Sequence, residues 1–193
     1  MLTQTRGTVK GFYPLAWLSF AMAKKHEAPG MMVQQWWARL SPLPGGKALF
    51  SMIIGRTAPY TGSIGARAEE LRPGFARWSL RDRRAVRNHL NSIHAVALTN
   101  LAEVTTGTAM LMSLPAGTRG IVTELSTTYI KKARGTLVAE CRCELPEIMA
   151  DTRFTLSCEI RDPGGDVVAT ATVTWLLSRT PKANGEGPSQ RVS

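Results

Sequence analysis

Acidic side chains are scarce in this chain of 193 residues: 14 Asp and Glu stand against 24 Lys and Arg, a formal charge of +10. An excess of that size attracts polyanions over several ångströms. The expected partner is therefore an anion: nucleic acid, an anionic membrane surface, or a phosphate-bearing ligand or acidic carrier protein. Nucleic acid is disfavoured, because no recognition motif and no aromatic platform interleaves with the basic residues. Cysteine is scarcer still, with only Cys141, Cys143 and Cys158. These form neither an even disulfide set nor a C-x-x-C metal pair. Cys141 and Cys143 stand two apart in a strand-like run and point to one face. All three are read as buried free thiols in a reducing compartment, with a redox or metal role as the alternative. No cofactor and no metal is expected.

Long apolar runs are missing as well. The stretch Phe12 to Ala23, with Arg6 and Lys10 before it and Ala21-Met22-Ala23 at its end, imitates a signal peptide, but Pro14 interrupts it. At about a dozen residues it is too short to span a bilayer. The expectation is a soluble, cytoplasmic protein.

What is present is globular: 44% apolar and 20% charged residues, in a length that suits one domain with appendages. Residues 1–57 read as an N-terminal helical extension, 58–179 as the main domain and 180–193 as a disordered tail. In the extension, Met31, Met32, Gln35, Trp36 and Leu40 share one helical face. That face packs on the main domain or a dimer neighbour; alternatively Trp36 and Trp37, beside Arg39, make peripheral contact with a membrane.

From Tyr60 onward the pattern is strand-like. A hairpin is expected from Ser63 to Leu71 and from Phe75 to Leu80, around the turn Arg72-Pro73-Gly74. A polar segment, Asn88 to His94, leads into an apolar helix from Ala95 to Leu114 that stops at Pro115 and carries Glu103 as its one charge. Strands follow at Gly120 to Ile130, Thr136 to Leu145, Arg153 to Arg161 and Val167 to Leu177. The turns at Lys131 to Gly135 and Asp162 to Asp166 make them an antiparallel meander. The fold class is α+β, a curved antiparallel sheet wrapped around a central helix.

Asn88 precedes His94 by six residues, and Glu103 follows it by nine. This spacing resembles the hotdog-fold acyl-CoA thioesterases of the phenylacetate type: Asn, a polar loop, His-Gly-Gly, then an acid on the central helix. Arg84-x-x-x-Asn88-His89 and Ala97-Leu98-x-Asn100-Leu101-Ala102-Glu103 resemble a poorly characterised bacterial branch of that superfamily. The likeness covers about residues 58 to 178. It implies hydrolysis of acyl-CoA or acyl-carrier thioesters by a homodimer, or a tetramer, with sites formed between protomers. Glu103 would act as general base or nucleophile, with Asn88, His94 and the Ala95 amide completing the catalytic set. Val96 and the basic residues Lys131, Lys132 and Arg134 would bind substrate, the latter through the phosphates of coenzyme A.

Elementary chemistry agrees. A lone carboxylate in an apolar helix is desolvated, which raises its pKa towards a useful value for a base. The amides of Ala95 and Val96, with the helix dipole behind them, are oriented donors for an oxyanion. One departure stands out: Ala95-Val96 replaces Gly-Gly, keeping the N–H donors but adding side chains where a ligand must approach closely. The Ser or Thr that often assists from the next strand aligns with Val122, with Thr123 facing the opposite way.

Each residue also has a plain structural reading. Asn88 satisfies loop backbone groups, His94 caps the helix, and Glu103 pairs with Arg83, Arg84 or Arg87. The lysines and Arg134 are then solvated turn residues. Met110, Met112 and the N-terminal Met and Trp residues point to a medium or long acyl chain. The alternative function is a non-catalytic hotdog module that binds acyl thioesters or lipids.

Overall fold

The computed structural model describes residues 29–148 and 151–179. The signal-like stretch Phe12 to Ala23 and the tail 180–193 lie outside the described residues. Three helices come first: α1 (Pro29–Leu40), α2 (Gly46–Thr57) and the short α3 (Pro59–Ser63). Strands β1 (Arg67–Arg72) and β2 (Phe75–Leu80) precede the long helix α4 (Ala95–Leu111). Then come β3 (Thr118–Tyr129), β4 (Leu137–Arg142), β5 (Thr152–Arg161) and β6 (Val167–Arg179).

The six strands form one sheet in the order β1-β2-β4-β5-β6-β3, with every neighbouring pair antiparallel. Helix α4 packs against all six, so the sheet curves around it. Its apolar composition fits that position, because nearly every residue from Ala97 to Met110 is buried. The buried hydroxyls of Thr105 and Thr108 donate back to the carbonyls of Leu101 and Val104 at 2.7 Å, which satisfies them inside the core. Thr108 Oγ1 also accepts from Trp78 Nε1 at 2.9 Å, fixing the helix against β2. On the far side Gly107 lets the Trp175 ring lie directly on the helix, since a Cβ there would sit 3.1 Å from it.

Two sequence expectations need correction. The strands after α4 form a meander only from β4 to β6: β3 does not pair with β4 but with β6, from Thr118↔Arg179 to Tyr129↔Ala169, and β4 lies between β2 and β5. Turn residues at Lys131 to Gly135 show that the chain bends, not which strand it joins, and the segment is a crossover from β3 at the sheet edge to β4 in the middle of the sheet. The second concerns Tyr60, which lies in helix α3 rather than in a strand. Pro59 at its first position favours helix, and β1 begins only at Arg67.

Helices α1 and α2 are anchored to the sheet through Phe50, which is 0% exposed. Its ring meets Trp37 edge-on at 5.1 Å and tilts against Trp78 at 6.4 Å. Trp37 is thus buried in packing. Phe50→Ala should cost about 3–5 kcal/mol of stability, read as a lowered urea midpoint. An unchanged midpoint would show that the helices do not contribute to the folded unit.

The cysteines are free and buried, as expected. Burial pushes the Cys141 thiol up to about 12 and Cys143 up to about 11, and raises Cys158 as well. Thiols held protonated in this way are poor nucleophiles and poor metal ligands. Among the described residues, no helix is long and apolar enough to cross a membrane.

Candidate active site at the central helix

The approach to α4 is a loop closed on itself by Asn88. Asn88 Oδ1 accepts from the Leu90 and Ser92 amides at 2.9 and 3.2 Å, and the Asn88 N–H donates to the Ser92 carbonyl at 2.8 Å. The side-chain oxygen is therefore committed to the backbone, the structural role named above. The crossover docks onto this loop. Ser92 Oγ and the Ile93 N–H both donate to the Ala133 carbonyl, at 2.9 and 2.8 Å, and Arg134 Nε donates to the Asn91 carbonyl at 3.2 Å. Asp82 ties the two segments, accepting from Arg87 at 2.6 Å and from the Gly135 N–H at 2.9 Å.

Lys132 and Arg134 are thereby placed beside the N-terminal end of α4, although not on the hairpin the sequence suggested. Lys131 differs. It is paired with Asp162 at 2.8 Å and with Asp166, which leaves its charge largely compensated.

His94 is the N-cap of α4, and its Nδ1 accepts from the Val96 N–H at 3.1 Å. An accepting Nδ1 puts the ring proton of the neutral imidazole on Nε2. The bond has a consequence for the expected oxyanion donors: the Val96 N–H is already engaged. The Ala95 N–H has no acceptor among the described residues and is the donor left available. Val96 itself is 48% exposed at the first turn.

Glu103 lies two turns further along, half-buried. Burial raises its carboxyl pKa, with no other cause contributing. The ion pair with an arginine is not formed among the described residues: Arg87 binds Asp82, and Arg83 donates to the carbonyls of Ser63 and Ile64.

Sequence reasoning missed a set of hydroxyls beside this stripe of α4. Thr99 Oγ1 contacts Thr127 Oγ1 at 3.1 Å and Tyr129 Oη at 2.9 Å, and Tyr129 Oη also donates to the Ala95 carbonyl at 3.3 Å. The reason is a bulge in β3 between Val122 and Glu124. A bulge reverses which side chains face which side. Alternation predicted from Val122 thus fails beyond it, and Thr127 and Tyr129 turn to the helix. Thr123, at the bulge, donates to the Thr174 carbonyl at 3.2 Å.

Residues 46–177 match the model of DUF4442, a domain of unknown function. The chain belongs to the DUF4442 family. No functionally curated protein matches it in sequence. Among solved structures, the DUF4442 chain is similar to a protein determined as a genomics target, at 32% identity and a TM-score of 0.69, over 77% of this chain and 99% of the other. It is also similar to a Pseudomonas aeruginosa protein of unknown function described as a probable thioesterase, at 26% identity and a TM-score of 0.62, over 71% and 97%. A Haemophilus influenzae thioesterase shares the fold at 11% identity and a TM-score of 0.57, over 65% and 87%. The DUF4442 chain therefore has the hotdog fold and falls in the thioesterase-like superfamily, in a branch of unknown function.

Of the expected site residues in this DUF4442 protein, Asn88, His94, Ala95, Val96, Lys132 and Arg134 gather at one end of α4, while Glu103 sits apart along its axis. Two cavities, of about 420 and 580 Å³, lie elsewhere, between α2 and β1–β2 and between the diverging ends of β4 and β5; neither is lined by Glu103. Met110 and Met112 are buried in the core and line neither cavity.

Proposed function

We propose that this DUF4442 protein hydrolyses acyl-CoA or acyl-carrier thioesters, with Glu103 as general base and the Ala95 N–H as oxyanion donor. The observation that carries the reading is Glu103 itself: a half-buried carboxylate on an apolar helix, unpaired among the described residues and raised in pKa by burial. A base of this kind takes a proton from water as the water oxygen adds to the thioester carbon. The negative charge that builds on the carbonyl oxygen needs a fixed donor, and the free N–H at the start of α4 is one.

Donor and base are eight residues apart, about 12 Å along a helix axis, too far to act on one carbonyl. The reading therefore requires two chains, the Ala95 N–H of one working with Glu103 of the other. A homodimer through β3 supplies that arrangement. The strand is twelve residues long, lies at the sheet edge and exposes Ile121, Leu125 and Tyr129. Such an edge invites a second strand. The opposite edge, β1, is six residues with Arg67, Glu69, Glu70 and Arg72, a short charged strand of the kind that resists pairing. Lysines at Ile121 and Leu125 together should convert a two-chain species to one chain in light scattering and abolish turnover with it. Wild type at single-chain mass at micromolar concentration contradicts the shared site.

Lys132 and Arg134, at the entrance, suit the phosphates of the carrier. A medium or long acyl chain is expected, received between the two chains. The test is thiol release across an acyl-CoA series from acetyl to palmitoyl, with kcat/KM highest in the longer half; a maximum at acetyl removes the chain-length assignment. The second reading, a binding module without catalysis, is favoured by the side chain of Val96 at the first turn and by the engagement of its N–H with His94. It predicts binding of the same series without thiol release.

A further inference from the structure

Helix α2 meets solvent with an apolar face. Phe50 and Ile54 turn inward to the core, while Lys47 and Ser51 turn to β1, where they bond the Glu69 carbonyl and the Ala68 N–H. Ala48, Met52 and Arg56 repeat every four residues, two out of step with Phe50 and Ile54, and all three are exposed. Leu49 and Ile53, half-buried, border them. Met52 is 45% exposed, and Leu43, in the turn that leads into the helix, is 56% exposed. A surface helix ordinarily places polar residues on that side. Packing does not close the patch, because Ala48, Met52 and Arg56 line the cavity of about 420 Å³ between α2 and β1–β2.

The charge around this face has one sign. Between Pro29 and Ala66 stand Arg39, Lys47 and Arg56 and no acid, and the residues before Pro29 add Arg6, Lys10, Lys24 and Lys25 against Glu27 alone. Six of the ten net positive charges thus belong to the first 66 residues. The next acids along the chain, Glu69 and Glu70 of β1, are engaged. Glu69 accepts from the Ser79 hydroxyl at 2.6 Å, and Glu70 pairs with Arg72 and Arg77 at 3.0 and 3.2 Å. A second copy seated on the face would set like charges together with no acid to match them, which self-complementary contacts avoid. The dimer through β3 leaves the face open, since α2 packs over β1 at the opposite edge of the sheet.

We infer that the outer face of α2 and the turn before it form a docking surface for an anionic lipid bilayer. Leu43 and Met52 enter the boundary between headgroups and acyl chains, while Arg39 and Arg56 stay level with the lipid phosphates. Apolar burial attaches the protein, and the unmatched positive charge selects anionic lipid. The inference does not rest on the hydrolytic reading, because a module that only binds acyl thioesters would use the same surface.

The full chain should bind vesicles of phosphatidylcholine and phosphatidylglycerol, mixed about two to one, at least about tenfold more tightly than phosphatidylcholine alone. Added salt should weaken that preference by screening. Leu43→Gln with Met52→Gln leaves the charge unchanged and alters only exposed side chains. It should weaken sedimentation with the mixed vesicles by about tenfold, while the urea midpoint and the mass in light scattering, both without lipid, stay at wild-type values. Bimane, an environment-sensitive fluorophore, reads the site directly when coupled to Met52→Cys, since the native cysteines are buried. Its emission should shift to the blue with the mixed vesicles, whereas the same label on Thr172→Cys, exposed on the side of the sheet away from α4, should not shift. Wild type that binds neither vesicle overturns the inference. So does a double variant that binds like wild type, or a blue shift at Thr172→Cys without one at Met52→Cys. A lowered urea midpoint in the double variant would show that the chain's own residues cover the face, and a lowered mass that a second copy does; either result overturns it as well.

Discussion

Glu103→Gln should lower the turnover number by about two to four orders of magnitude while leaving KM nearly unchanged. Gln keeps the shape and hydrogen-bonding reach of the side chain but cannot take a proton at neutral pH. The stability change should run the other way. Burial raises the folded-state pKa of Glu103, so the folded protein binds this proton more tightly than the unfolded chain does. The contribution to stability is fully present below the unfolded pKa, near 4.3 for a free Glu, and is lost as pH rises through the higher folded value. At neutral pH the charged group therefore costs stability, and Gln removes that cost. Glu103→Gln should melt at or above the wild-type temperature at neutral pH, with the difference closing in acid. A lowered melting temperature with full activity per folded molecule would instead place Glu103 in a structural role.

Ala95→Pro should lower kcat by about 100- to 1000-fold without unfolding the protein. Proline is well tolerated at the first position of a helix, where its missing N–H bonds nothing. The residue before it must be extended, and His94 already is, with φ −66° and ψ 141°. The substitution thus removes one N–H, the one left free by the His94 cap, and little else. It also tests the sharing of sites between chains. In an equal mixture of Ala95→Pro and Glu103→Gln chains, half of the dimers are mixed, and each has one site with both groups intact. Activity should recover to about one quarter of wild type, given random pairing in a two-fold dimer. A mixture no more active than its parents would mean that donor and base belong to the same chain.

How far these features were legible in the sequence follows from the physics of each. Helix α4 was plain because an apolar run from Ala95 with a single charge and a proline beyond it has no other stable form; only its last turn was overextended, to Leu114 in place of Leu111. Strand identities were legible from alternation and turns. Strand order was not, because the Lys131 to Gly135 turn carries only local information, while the place of β3 beside β6 is decided by long-range pairing. The bulge after Val122 has no Gly or Pro to mark it, so the sequence pointed to Val122 and Thr123 and missed Thr127 and Tyr129. Within the site, the isolated acid was visible from composition, but the His94 bond that removes the Val96 donor is a matter of side-chain geometry.

The most direct test is a single-turnover experiment with wild-type protein in excess over a long-chain acyl-CoA, quenched over time and analysed for free coenzyme A across pH. Glu103 acting as base predicts complete conversion, with a rate that climbs as the carboxyl ionises and an acid limb displaced upward from the ordinary Glu value, since burial raises this group. Acyl-CoA that binds and is recovered intact at every pH would contradict it.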